Sequence, residues 1–257
     1  DDASPDKRFI IKNRTISNLD GVLYIEREQN VGRSAIRNYL VSQSSKEWIL
    51  FIDGDLSLNN AKFIHNYLKA EGDVIVGGIN IVENEKRWGN NLRYRYEHSS
   101  KEAISAENRR KTPYQHLSTN FIANRKLIGK NPYNEDIKQY GFEDVLLGKR
   151  FKALNAKINH IDNPVLFNDF ELNAVFLCKT EEALRTLSTI QTELKGYSNL
   201  LKITGKLQKM HISWIGVWLY KFFHKPLKHN LKGNNPSVFL FNIYKLLYFL
   251  HYNSIRK

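Results

Sequence analysis

The chain has little sulfur: one cysteine, Cys178, and one methionine in 257 residues. A lone thiol excludes an internal disulfide and fits a reducing compartment. Apolar runs are short, and none approaches the roughly 20 residues needed to cross a bilayer. The opening stretch Asp1-Asp2-Ala3-Ser4-Pro5-Asp6-Lys7 is polar and acidic, unlike a secretory signal. No internal repeat or low-complexity segment stands out. The most telling shortage is of negative charge. None of the 26 Asp and Glu falls in residues 197–257, which hold ten of the 39 Lys and Arg. The net charge of +13 is therefore concentrated at one end of a chain whose body is nearly neutral. A cationic tail of this kind calls for an anionic partner.

What is present is organised around Trp48-Ile49-Leu50-Phe51-Ile52-Asp53-Gly54-Asp55. An unbroken apolar run reads as a strand buried on both faces, as in parallel sheets covered by helices. Ligands in such sheets bind beyond the carboxyl ends of the strands, which is where Asp53 and Asp55 stand. Gly54 permits a sharp turn and close backbone approach. Two carboxylates at this spacing can hold a hard divalent cation that neutralises phosphate oxygens. An ordinary Asp-Gly turn is the plainer explanation.

Around this stretch, Phe9-Ile10-Ile11 is a short apolar piece and Gly21–Ile25 reads as a strand. Gly32 opens a helix to about Ser44, with Arg33 and Arg37 four apart on one face. Two guanidiniums at a helix start suit phosphates, although spacing alone favours a solvated basic face. A helix runs from Asn59 or Asn60 to about Ala70. Residues 73–82 form a strand interrupted by Gly77-Gly78, where a bend or close approach is expected. Residues 83–116 read as a mobile helix-and-loop insertion. His116–Ala123 is a further strand, and Gly141-Phe142-Glu143-Asp144 begins a helix whose dipole favours the two acids. A short strand over 157–161 and an amphipathic helix over 171–195 follow.

From Gly196 onward, lysines alternate with two aromatic runs, Trp214–Phe223 and Phe239–Tyr252. A helix over Val238–Tyr252 would be roughly 22 Å long, too short to span. Basic, aromatic helices of this length lie in a membrane interface, or else cap the body with lysines outward. The expected partner is an anionic membrane surface, not a nucleic acid, with the protein held on the cytoplasmic face.

Several motifs stand in an order that resembles inverting glycosyltransferases of family 2, of bacterial type, with the GT-A fold. Asp1-Asp2-Ala3-Ser4 resembles the family's Asp-Asp-x-Ser turn, and Asn30–Asn38 its Asn-x-Gly…Ala-x-Arg-Asn segment. Asp53-Gly54-Asp55 resembles the Asp-x-Asp metal motif. Ser118-Thr119-Asn120-Phe121 with Arg125 resembles the floor of the site, and Gly141–Asp144 the Glu-Asp motif. The resemblance implies an α/β fold: a Rossmann-like, mostly parallel sheet with helices on both faces, plus a C-terminal helical basic and aromatic extension. It covers a transferase domain over 1–170; the helical, membrane-associating region over 171–257 is read from the charge and aromatics of the tail.

The roles it implies are specific. Asp144 would be the catalytic base and Glu143 its neighbour. Asp2, Asn30, Arg37, Asp53 and Gly54 would bind the donor, a nucleoside-diphosphate sugar, with UDP expected. Asp55 and Asp53 would hold Mg²⁺ or Mn²⁺. Trp88 and Asn120 are candidates for the acceptor, a glycan or lipid-linked hydroxyl. The residue types agree with the chemistry: a cation stabilises the leaving diphosphate and one carboxylate takes the acceptor's proton. Two departures accompany the resemblance. The motifs begin after the family's first strand, and Phe167 stands near where a metal-ligating His is usual.

Two other readings compete. Asp53-Gly54-Asp55-Leu56-Ser57 shares the outline of the aspartyl-phosphatase start, but lacks its Gly-Thr. A non-catalytic membrane or anionic-polymer binder would explain the tail but not the ordered acids at 53, 55, 143 and 144.

Overall fold

The computed structural model describes residues 1–117 and 119–256. In chain order the elements are α1 (Lys7–Arg14), α2 (Arg33–Gln43), β1 (Trp48–Phe51), α3 (Phe63–Leu68), β2 (Val74–Val76) and β3 (Ile79–Ile81). Then come α4 (Glu85–Trp88), α5 (Leu92–Ser99), α6 (Ala106–Lys111), β4 (Phe121–Asn124), α7 (Arg125–Ile128) and α8 (Glu143–Ala153). The last are β5 (Ile158–His160), β6 (Val165–Phe167), α9 (Asn173–Thr189), α10 (Asn199–Lys209), α11 (Ser213–Lys232) and α12 (Val238–Arg256).

The main sheet has the order β1-β4-β2-β5. β1, β2 and β5 run the same way, and β4 lies antiparallel between β1 and β2. β3 and β6 form a separate parallel pair. The period-two alternation of the strands sends side chains to opposite layers. Ile49, Phe51, Val74, Val76, Phe121 and Ala123 pack with Val41 of α2 and with Leu147 and Phe151 of α8. Leu50, Ile75 and Ile122 face the other way, onto Phe63 and Tyr67 of α3. Helices therefore cover both faces.

Three local expectations change. β1 is an edge strand, half-buried rather than buried on both faces, with Trp48 39% exposed. Gly21 lies in a turn and residues 22–25 join no ladder among the described residues, and Phe9–Ile11 lie within α1. The 83–116 segment is built into the body by Arg109. This guanidinium, 3% exposed, donates to the carbonyls of Val76, Gly77, Ile104 and Ile161.

The paired glycines do mark a close approach. A Cβ on Gly77 would lie 2.4 Å from Tyr67 Oη and 2.5 Å from the Asn163 carbonyl, and Gly78 has φ +88°. The strand breaks there into β2 and β3.

α9, α11 and α12 build a second core around Leu177, Leu184, Leu231, Phe241, Tyr244 and Leu247. Leu92 of α5 belongs to this core, and Phe142 and Val145 pack against it, so it adjoins the segment entering α8. Among the described residues, no helix is long and apolar enough to cross a membrane.

Candidate active site

The turn after β1 carries the acids of the Asp-Gly-Asp stretch. The Asp53 N–H donates to Thr119 Oγ at 2.9 Å, which fixes the backbone at the end of the strand. Asp55 and Gly54 are exposed. α2 starts at Gly32, whose φ of +84° and whose approach to the Lys138 carbonyl leave no room for a side chain. One turn apart on this helix, Arg33 and Arg37 both reach Asp53. Arg33 Nη2 lies 2.8 Å from Asp53 Oδ2, and Arg37 Nη2 lies 2.8 Å from Oδ1. The same two guanidiniums approach Glu143 Oε1, at 3.4 and 3.3 Å. Each cation thus bridges two acids, and both Asp53 oxygens are engaged.

Glu143 and Asp144 open α8. The chain reaches them through Gly141 at φ +107° and Phe142 in the left-handed region. α9 holds this entry. Glu182 accepts from the Tyr140 N–H at 3.0 Å, and Thr186 Oγ donates to the Tyr140 carbonyl at 3.0 Å. Glu143 is 5% exposed. Burial first, and the neighbouring Glu143 charge second, push the Asp144 carboxyl up to about 6. A carboxylate in that range is a competent proton acceptor near neutral pH.

Asp53, Asp55, Arg33 and Asp144 line one cavity of about 520 Å³. Later parts of the chain complete its lining with Arg93, Glu97, Phe167, Lys179 and Tyr197. Arg93 lies 2.5 Å from Glu171 and stands over the Phe167 ring at 4.3 Å, and Lys179 reaches Glu171 at 3.2 Å. Burial raises the Glu97 carboxyl.

Among the described residues, no three side chains of His, Cys, Asp or Glu converge to form a ready metal cage. Asp55 is exposed and suits a Mg²⁺-like ion, since such ions keep waters and take one or two protein carboxylates, whereas both Asp53 oxygens hold arginines, so Asp53 would join the ion only as Arg33 or Arg37 gives way. The donor set therefore fits a shared cation and not a preformed one.

The model of glycosyl transferase family 2 matches residues 1–131, half of the chain. The chain belongs to this family. It is a glycosyltransferase, and its mixed sheet flanked by helices is the GT-A fold expected of it. Solved structures similar to it include TarS residues 1–349 from S. aureus in complex with UDP. That structure is 17% identical, with a TM-score of 0.45, over 100% of this chain and 80% of that one. The same protein in complex with UDP-GlcNAc is 17% identical with a TM-score of 0.44, over 100% and 81%. No curated protein matches the sequence.

In this family 2 transferase, the candidates read from the sequence separate into three groups. Asp53, Asp55 and Asp144 meet at the cavity, with Arg37 and Glu143 tied to Asp53 and Gly54 between the acids. Asp2 and Asn30 sit together at the start of α2. The Asp2 carboxylate accepts from the N–H groups of Val31 and Gly32, and Asn30 Nδ2 donates to the Asp2 carbonyl.

The two acceptor candidates, Trp88 and Asn120, are not among the residues that line the cavity. Asn120 is fully buried, donating to the carbonyls of Gly78 and Asn163 and accepting from Tyr67 Oη, so its side chain is committed to the floor beneath the cavity. Trp88 packs edge-on against Phe170 at 5.2 Å and does not line the cavity. Ser118 lies outside the described residues.

Arg33 was legible as a phosphate candidate from its spacing to Arg37, but not as a lining residue. Arg93, Glu97, Lys179 and Tyr197 carried no local signal: they reach the cavity only through packing between distant segments.

Proposed function

We propose that the chain transfers a sugar from a nucleoside-diphosphate sugar, UDP-linked, to a hydroxyl of a glycan or lipid-linked acceptor, with inversion. The observation that carries the reading is one cavity holding both Asp55 and an Asp144 carboxyl raised to about 6. Asp144 accepts the acceptor's proton as that oxygen bonds to the anomeric carbon and the bond to the diphosphate breaks. A single base, with attack opposite the leaving group, gives inversion. Asp55, with Asp53, would hold Mg²⁺ or Mn²⁺ against the diphosphate oxygens, a charge that offsets the one building on the leaving group. Arg33 and Arg37 supply fixed positive charge beside it. Asp2, Asn30 and Gly54 shape the donor side.

Residues 1–170 form the transferase part in this reading. Residues 171–257 form the helical part that holds it on an anionic membrane surface, at the cytoplasmic face. The test is a thermal-shift and turnover series with UDP sugars, with and without Mn²⁺. Metal-dependent stabilisation by UDP, and transfer lost in Asp144→Asn, are expected. Stabilisation by no nucleoside diphosphate would sink the reading.

A further inference from the structure

The two aromatic runs near the C-terminus look alike in sequence, and the structure separates them. In α12 the rings of Phe241, Tyr244, Tyr248 and Phe249 are at most 9% exposed. Two of them are also tied by polar contacts. Tyr244 Oη donates to Glu181 at 2.6 Å, and Tyr248 Oη accepts from Arg185 at 2.7 Å. These rings are core and have no freedom to enter lipid.

α11 is different. One side, carrying Gly216, Tyr220, Leu227 and Leu231, is buried. Gly216 brings it close to α12, because a Cβ there would lie 2.4 Å from Leu250 Cδ1. The opposite side carries Trp214, Trp218 and Phe222, which are 65%, 52% and 61% exposed. Their spacing of four stacks them along one line of the helix, with the Trp218 and Phe222 rings 4.4 Å apart. Lys221 and Lys225 are exposed on that same side. Just before α11, Met210 is 65% exposed, and Lys202, Lys206 and Lys209 of α10 point to solvent.

Three large rings in a row, each more than half exposed and flanked by lysines, form an apolar stripe with a cationic border. Residues 197–257 contain no acid to answer those lysines. A second copy of this chain would bring the same cations face to face, which disfavours it as the occupant. An anionic bilayer answers both features. Indole and phenyl rings settle at headgroup depth, and lysines on the same helix reach lipid phosphates and carboxylates. We infer that the Trp214–Trp218–Phe222 side of α11, with Lys221 and Lys225, is the surface on which this chain lies against an anionic lipid bilayer. α12 serves as the core behind it. The inference rests on the membrane reading given above and narrows it to one helix side.

The test uses the full chain and co-sedimentation at low salt. Two vesicle types are needed: phosphatidylcholine containing phosphatidylserine, and phosphatidylcholine alone. Wild type is expected to bind the anionic vesicles, more weakly at high salt. The triple variant Trp214→Ser, Trp218→Ser, Phe222→Ser should lose at least about tenfold in partitioning, and Lys221→Gln with Lys225→Gln should flatten the salt dependence. Phe239→Ser, at an α12 position that is 72% exposed, should bind as wild type. UDP-induced thermal stabilisation without vesicles reports folding and donor binding in every variant.

A triple variant that keeps its UDP response and still binds like wild type overturns the inference while leaving the membrane reading intact. Wild type that binds neither vesicle overturns both, with the glycosyltransferase reading untouched. A wild-type dimer that the triple variant abolishes, seen by light scattering without vesicles, also overturns the inference in favour of a second copy.

Discussion

The guanidinium of Arg93 stands 4.3 Å above the ring centroid of Phe167. Resemblance places a metal-ligating His near position 167. Here an aromatic face is present instead, and the Arg93 guanidinium, paired with Glu171, rests on it. Phe167 also meets Phe170 edge-to-face at 4.6 Å and is 5% exposed. Phe167→Ala removes both ring contacts and leaves a void beneath Arg93. Urea denaturation should show a loss of about 3–5 kcal/mol. A loss below about 1 kcal/mol would mean the wall collapses around the smaller side chain.

Asp144→Asn should separate stability from activity. The folded carboxyl sits at about 6 against an ordinary value of 3.8, so its stability contribution is present below 3.8 and lost as pH rises through about 6. At neutral pH the ionised form is a liability that the amide removes. The variant should be inactive in transfer, bind UDP normally, and gain on the order of 1–3 kcal/mol at pH 7 but little at pH 4. Denaturation curves at the two pH values check this; a variant less stable at pH 7 would contradict it.

The pH profile of kcat/KM should rise with pH and level off above about 6, as Asp144 loses its proton. Glu143 is the second cause of that raised value. Glu143→Gln removes the repelling charge and leaves Arg33 and Arg37 nearby, so the rising limb should move to lower pH. An unmoved limb would assign the titration to another group.

The two acids of the turn after β1 should fail differently. Both Asp53 oxygens hold arginines, and the Arg37 side chain is only 11% exposed. Asp53→Ala should therefore cost about 1–3 kcal/mol in stability as well as donor binding. Asp55 is exposed, and Asp55→Ala should change stability by less than about 0.5 kcal/mol while abolishing the Mn²⁺ dependence of UDP binding. Titration calorimetry with and without Mn²⁺, beside urea melts, distinguishes the pair.

Features that depend on neighbours along the chain were readable in advance. The apolar run into Asp53-Gly54-Asp55 and the acids at the start of α8 are local patterns, and both led to the cavity. Gly77-Gly78 announced a close approach that the contacts with Tyr67 and Arg109 display. Partnership was not readable. Residues 21–25 have strand-like composition but no ladder, and β1 has an apolar sequence although it lies at a sheet edge. Asn120 looked like a ligand-facing amide because nothing near it in sequence reveals Tyr67, Gly78 and Asn163 around it. The aromatics of α11 and α12 look alike in the sequence, and only the packing of the two helices shows which of them, such as Tyr220 and Tyr244, are core and which, such as Trp214 and Phe239, are exposed.

α9 is a party wall. On one side Glu182 and Thr186 grip Tyr140, and a Cβ on Gly141 would sit 2.8 Å from Ala183. On the other, Leu177, Leu184 and Leu187 of the same helix belong to the core shared with α11 and α12. A chimaera that borrows its final helices from a relative at the α9–α10 junction keeps the seat of Asp144. One spliced ahead of α9 must bring matching residues at 140 and 141 as well, or the carboxylate loses its aim.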